Sequence, residues 1–345
     1  MQRSKGYKFM SVRYFSPDFS VRRNELADRT LKQIQREFGA RVEPFTLHLP
    51  LPELLAGAWM ACRESLLVGS VRRDLKEAVA SAVSVTNRCP YCVDAHSIMV
   101  LASSGEDYSP AFLSGHYDTI ADPDVRKVVR WAAATRSPGS EHLHSPPFSA
   151  AEAAEFIGTA VFFHYINRMV TMLLGTSPLP FSSGKLKEAA IRIAAWFFGR
   201  AVRQSKEPCA SIDLLPRADL PEDLLWSKSS PCIAGAYASF SRVLDDAGAT
   251  VLSGKVKASV LKALDAWDGS DPEPRNALVT SGFEEYTGAD KAASDLALSA
   301  ALFPWRLTER DVTAFSNYYP GDKPLLAVLA WGSFSAARRI GRWIA

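Results

Sequence analysis

Histidine and cysteine are scarce in this chain: six His and five Cys in 345 residues, with no His beyond His164 and no Cys beyond Cys232. Imidazole chemistry is therefore confined to the first half. Charge of one sign is also missing. Forty Lys and Arg against thirty-seven Asp and Glu leave +3, without a long basic run, so nothing calls for nucleic acid. No apolar run of spanning length occurs, since the most apolar stretch, Ile157 to Gly175, is broken by His164, Asn167 and Arg168; a buried helix is expected there, and no membrane partner. The first 23 residues carry Arg3, Lys5, Lys8, Arg13, Arg22 and Arg23 against Asp18, but no signal-peptide core follows, so they are expected as a solvated tail. An odd cysteine count with one close pair and no export signal points to a reducing compartment, the cytoplasm, where a close pair is catalytic or metal-binding.

What is present is a globular composition, 47% apolar and 22% charged, in a chain long enough for two domains of ordinary size. Apolar residues recur at three- and four-residue steps, as in Leu75, Val79, Ala82 and Val83, and long alternating patterns are absent, so the class is all-α. Three pairs of anchors suggest that one helical unit occurs twice. Glu37-Phe38-Gly39, closing a helix, is matched by Phe197-Phe198-Gly199. Leu55-Ala56-Gly57-Ala58-Trp59 is matched by Ile233-Ala234-Gly235-Ala236-Tyr237, where small residues predict close helix packing. Capping-box-like starts at Ser149 to Glu152 and Thr308 to Asp311 should each open a last apolar helix. The expected division is a tail over 1–23, a first unit over 24–175, a linker over 176–184 rich in Ser, Pro and Gly, and a second unit over 185–345.

The chemistry gathers in one place. Glu77 is followed, after eleven residues, by Cys89-Pro90-Tyr91-Cys92-Val93-Asp94-Ala95-His96. With Asn87 as N-cap and Pro90 in the first turn, a helix should start at Arg88 or Cys89, placing Cys89, Cys92 and His96 on one face. The thiolate is the nucleophile, and a free thiol near pKa 8.5 is mostly protonated at neutral pH. A helix start and an imidazole one turn beyond Cys92 would stabilise and generate that anion. Glu77, read as lying near the end of the preceding helix, Asp74 to Val85, would fold back through a turn at 86–88 to orient His96. A sulfenic acid on one sulfur can condense with the other thiol to a disulfide before further oxidation. Spacing favours Cys92 as the histidine-activated sulfur and Cys89 as its partner, and the reverse assignment stays open.

Glu, eleven residues, Cys-x-x-Cys, three residues, His resembles the redox members of the alkylhydroperoxidase AhpD-like and carboxymuconolactone decarboxylase superfamily. The resemblance implies two tandem AhpD-like helical repeats, the second lacking the redox motif, and a proton relay and dithiol made of Glu77, His96, Cys92 and Cys89. It further implies thiol-dependent reduction of hydroperoxides, with peroxide or another small oxidant as substrate, a thioredoxin-type or lipoyl-type dithiol as donor, and a homo-oligomer. Decarboxylase members usually lack the cysteine pair. Some AhpD enzymes carry histidine just before the second cysteine, where this chain has Tyr91, so a step needing that histidine would be lost.

No cofactor is called for. Other readings of the motif are a zinc site with Glu77 as fourth ligand, two purely structural cysteines, a scaffold that retains the motif, or a carboxymuconolactone-decarboxylase-like enzyme. Cys62 is expected in the core, Cys209 and Cys232 as structural, His142 and His144 as solvated, and His48 and His164 as satisfied buried polar groups. His116, Tyr117 and Asp118 could border a substrate path.

Overall fold

A computed structural model describes residues 12–15, 24–175, 177–179, 184–271, 283 and 285–345, apart from the side chains of Ser109 and Leu113. Most of the expected tail, and Thr176 and 180–183 of the expected linker, lie outside the described residues. The chain is all-α as expected, with no strand among the described residues. Its helices of eight residues or more are α1 (Glu25–Phe38), α2 (Pro52–Cys62), α3 (Arg73–Thr86), α4 (Pro90–Ser104), α5 (Pro123–Ala134), α6 (Ala153–Leu173), α7 (Lys185–Arg203), α8 (Pro231–Ala249), α9 (Gly254–Asp265), α10 (Gly288–Leu302), α11 (Glu309–Ser316) and α12 (Asp322–Ile344).

Local chemistry sets many of the boundaries. The Asn24 carboxamide accepts the Ala27 amide to open α1, which Gly39 closes at φ 88°, a left-handed conformation cheap for glycine. Asp122 caps α5, Ser230 caps α8 and Ser253 caps α9, each side-chain oxygen accepting an orphan amide of the first turn.

The helices share one continuous apolar core. Like packs against like across it: α2 lies on α8, and the two long, largely buried helices α6 and α12 lie on each other. Around α6, α3 packs against α4 and α5. Around α12, α10 packs against α11. α7 lies along α4 and touches α1, so it meets helices of the first half.

The repeat anchors fare unequally. The glycine packing holds at Gly57, where an added Cβ would come within 2.7 Å of Phe240, but Gly235 faces open space. Gly199 lies inside α7 and closes no helix. Ser149 does bond Glu152, at 2.7 and 2.9 Å, yet α6 begins only at Ala153. Thr308 and Asp311 form a full capping box that opens the short α11, while the last apolar helix starts later, at Asp322. A local capping signal marks a helix start but carries no information about which helix follows. The N-terminal stretch also departs from a solvated tail at 12–15. Phe15 is buried, Tyr14 donates to Leu307 O at 3.1 Å, and the Arg13 amide donates to Leu173 O at 2.8 Å, because two aromatic rings outweigh the flanking charges.

The buried helix expected over Ile157 to Gly175 is α6, and no helix among the described residues is long and apolar enough to cross a membrane. His164, Asn167 and Arg168 are satisfied by neighbours, which avoids roughly 1–3 kcal/mol for each buried group left unpaired, whereas the Thr171 hydroxyl has no partner. Burial holds His164 far below the usual imidazole pKa. The neutral ring accepts from the Asn87 amide at 3.0 Å through Nδ1, and its Nε2 lies 2.8 Å from the Thr135 hydroxyl. Asn167 accepts a second Asn87 hydrogen bond at 3.0 Å and donates to Ser84 at 3.1 Å. Arg168 donates to Ala301 O at 2.8 Å.

Candidate active site

The turn between α3 and α4 carries the motif. Asn87 ends α3 and anchors the turn to α6 as above, so it is not the N-cap of the next helix. Arg88 takes a left-handed conformation, φ 54°, and its side chain pairs with Asp271 at 2.6 Å and lies over the Trp305 ring. Cys89 occupies the N-cap position itself, its amide bonded to Ser84 O at 2.9 Å, and Pro90 starts α4. A side-chain cap is thus absent at this helix start. Cys89 and Cys92 form a disulfide, with Cα atoms 5.4 Å apart, and are 1% and 4% exposed, so both residues are buried.

Glu77 sits in the first turns of α3, not near its end, and the antiparallel return of α4 sets it beside His96. His96 Nδ1 lies 2.7 Å from Glu77 Oε2, and the half-buried ring meets Phe163 edge-on at 4.5 Å. Arg73, one turn before Glu77, holds the other carboxylate oxygen at 2.6–2.7 Å. Burial alone would raise the Glu77 pKa, but the Arg73 guanidinium and His96 outweigh it and hold the carboxyl below its ordinary range. An ionised Glu77 fixes His96 as the Nδ1–H tautomer, leaving Nε2 as the ring atom able to take a proton. Both Glu77 oxygens are engaged within the protein, and no three His, Cys, Asp or Glu side chains among the described residues converge as a metal-ligand set.

Three supporting residues escaped the sequence reading. Arg73 had a visible signal, its i, i+4 spacing to Glu77 on one helix. Asp94, inside the motif, is buried and bound to Lys187 of α7 at 2.7 Å and to the Ser177 hydroxyl at 2.5 Å, partners remote in sequence. Phe163 is brought in by α6 alone. Tyr91, standing where some relatives carry histidine, donates to Glu43 at 2.9 Å and is buried, which pushes its phenol pKa up and keeps it protonated.

The remaining candidates lie elsewhere. Cys62 is free and buried in the core, its thiol pushed up by burial. His48 is buried between Phe45 O and the Tyr165 hydroxyl, with its pKa lowered by burial to about 4. His142 and His144 are exposed, as is His116, and Asp118 is engaged by Arg130. Cys209 and Cys232 form a second disulfide, so the odd count resolves into two pairs and one buried thiol.

An all-helical chain with a Cys-x-x-Cys pair at a helix start and a Glu–His contact across a helical hairpin defines a class of dithiol proteins, and sequence comparison assigns it. The carboxymuconolactone decarboxylase family profile matches residues 53–108, which include all four motif residues. A Mycobacterium tuberculosis protein named alkyl hydroperoxide reductase is 38% identical over 313 residues, 90% of this chain and 89% of that protein. The chain belongs to the carboxymuconolactone decarboxylase family, on its AhpD-like side.

Proposed function

We propose that the protein is a thiol-dependent alkyl hydroperoxide reductase in which Glu77, His96, Cys92 and Cys89 work as one unit. The observation that carries this is the Arg73–Glu77–His96 chain of contacts beside a bonded cysteine pair. In the reduced protein His96 Nε2 takes the Cys92 proton, and the thiolate attacks the outer oxygen of a hydroperoxide. The O–O bond breaks, Cys92 becomes a sulfenic acid, and the alkoxide leaves as alcohol with the proton held by His96. The Cys89 thiolate then attacks the sulfenic sulfur, water leaves, and the disulfide forms. Two electrons from an external dithiol, of the thioredoxin or lipoyl type, restore the pair. Such a cycle suits the cytoplasm. The chemistry is assigned to the unit over 24–175, joined by 176–184 to a redox-silent unit over 185–345, with 1–23 as an appendage.

Homo-oligomer formation belongs to this reading. α7 packs on the redox helix by one side, while Leu186, Ile193, Trp196 and Phe197 stand 60–83% exposed on the other, an apolar face suited to a second copy. Light scattering of Trp196→Glu beside the parent protein tests it, and a parent that is monomeric at all concentrations rejects it.

Hydroperoxide consumption, followed with a small dithiol, a thioredoxin and a lipoylated protein in turn, tests the activity. Cys92→Ser and Cys89→Ser should each lower turnover at least about a thousandfold, the loss expected when a covalent nucleophile or its resolving partner is removed. Turnover unchanged in both would reject the dithiol cycle.

A further inference from the structure

The second disulfide, Cys209–Cys232, with Cα atoms 4.9 Å apart, lies in a setting unlike the first. Both of its cysteines are half-buried rather than closed off. Cys232 is the second residue of α8, behind the Ser230 cap and Pro231. Cys209 lies in the connection from α7 to α8 in a left-handed conformation, φ 60°, and its amide is held by the buried Glu64 carboxylate at 3.0 Å. A thiolate at Cys232 gains from the free amides and dipole of the helix start. Cys209 lies at no helix start, and the Glu64 carboxylate that holds its amide is paired with Arg63 at 2.6 Å. Cys232 is therefore the better leaving sulfur, and Cys209 the sulfur to be attacked.

The next residue, Ala210, lines a cavity of about 220 Å³ together with Asp213, Leu214 and four residues of α1, Arg29, Lys32, Gln33 and Arg36. Gln33 fixes the two walls together, donating to Ala210 O at 2.8 Å. The three cations face one acid, and all three are exposed. Arg36 is paired with Glu37 at 2.8 Å, while Arg29 and Lys32, each one turn beyond an acid of α1, Glu25 and Asp28, form no ion pair with a described residue. The side chains lining the cavity thus carry more cations than acids, one residue from the sulfur that is open to attack.

We propose that Cys209–Cys232 is a second thiol–disulfide exchange site whose substrate is a small thiol bearing anionic groups, held by Arg29, Lys32 and Arg36. The thiolate of the small molecule attacks Cys209 Sγ. A mixed disulfide forms as the bond to Cys232 breaks, and Cys232 leaves as a thiolate at the α8 start. A second small thiolate attacks the small-molecule sulfur of the mixed disulfide, releasing the small disulfide and a Cys209 thiolate. Two electrons pass from two small thiols to the protein pair, and solvent protonates the products. This site is independent of the peroxidase reading.

The test uses the full chain carrying Cys89→Ser and Cys92→Ser, so that exchange at the first pair cannot contribute. Glutathione is the anionic probe and 2-mercaptoethanol the uncharged control, with acid quenching and peptide mass spectrometry at intervals. Glutathione should appear on Cys209. Arg29→Glu with Lys32→Glu should slow its addition roughly tenfold at low ionic strength, with the difference shrinking as salt rises, while the 2-mercaptoethanol rate stays unchanged. The circular dichroism of the variant should match that of the parent. Glutathione attached to Cys232, no adduct on the folded protein, or equal slowing of both thiols would overturn the proposal.

Discussion

The two halves of the chain use a related helical frame for different purposes. α3 rests on α6 beside α5, and α10 rests on α12 beside α11. After α3 the chain makes the Asn87–Arg88 turn and builds α4, the helix of the cysteine pair. After α10 it makes only a three-residue turn, Pro304–Arg306, before α11. Among the described residues α10 is therefore followed by no counterpart of α4, and the sequence after it has neither Cys nor His. Burial divides the same way. Among the described residues every buried charged or imidazole side chain precedes residue 169, and the buried polar side chains beyond 200 are all serines. Buried charges need exact partners and hold their surroundings in one arrangement, whereas an apolar interior with isolated hydroxyls supplies cohesion. Among the described residues the buried ionic partners that fix groups in place thus all belong to the first half.

That contrast can be broken or sharpened by substitution. Arg63, 1% exposed, bridges Glu37 at 2.7 Å and Glu64 at 2.6 Å, and reaches Glu207 O at 2.8 Å. Arg63→Ala should cost on the order of 3–5 kcal/mol in denaturant unfolding, because the buried Glu64 loses its cation and the buried Glu37 keeps only the exposed Arg36. A loss below about 1 kcal/mol would make the ionic cluster incidental.

Acid should act on the first half before the second. The His48 imidazole binds a proton near pH 6.5 when unfolded but only near about 4 when folded, so its contribution is complete above 6.5 and is lost as pH falls toward 4. The loss is roughly 3 kcal/mol, with His164 shifted in the same direction and adding to it. His48→Gln should flatten the stability profile over that interval, and an unchanged profile would place the acid sensitivity elsewhere.

Within the candidate site, His96→Ala and Glu77→Gln should each slow reaction with peroxide about a hundredfold at neutral pH, the range of general acid–base assistance, without loss of helix content. Arg73→Met should do less, about tenfold at neutral pH. With the guanidinium gone, Glu77 protonates at higher pH, so the acid limb of the rate profile should move upward. Wild-type rates in all three would leave the four motif residues as bystanders.

The smallest effect is expected in the second half. Ser333 is buried with no hydrogen-bond partner for its Oγ, so Ser333→Ala should change stability by no more than about 0.5 kcal/mol. A large loss there would erase the distinction between the halves.

The sequence by itself determined the helical class and gathered the four candidate residues into one short segment, because those depend on spacing along one or two helices. Cys89, Cys92 and His96 share a face by helical periodicity, whereas the place of Glu77 in the first turns of α3 came only with the folded hairpin. The sequence also exposed the α2–α8 relation through Gly57, since close packing demands a small residue there. Tertiary structure decided what spacing cannot encode. Asn87 looked like a cap, but two α6 side chains about eighty residues away compete for its amide and draw it into the α3 terminus. Asp94 and Phe163 entered the site through α7 and α6, and Cys209 found Cys232 across a connection without periodic pattern. Contacts within a helix follow from covalent geometry, whereas contacts between distant segments exist only once the apolar faces of many helices have been buried together, and no local pattern records which faces will meet.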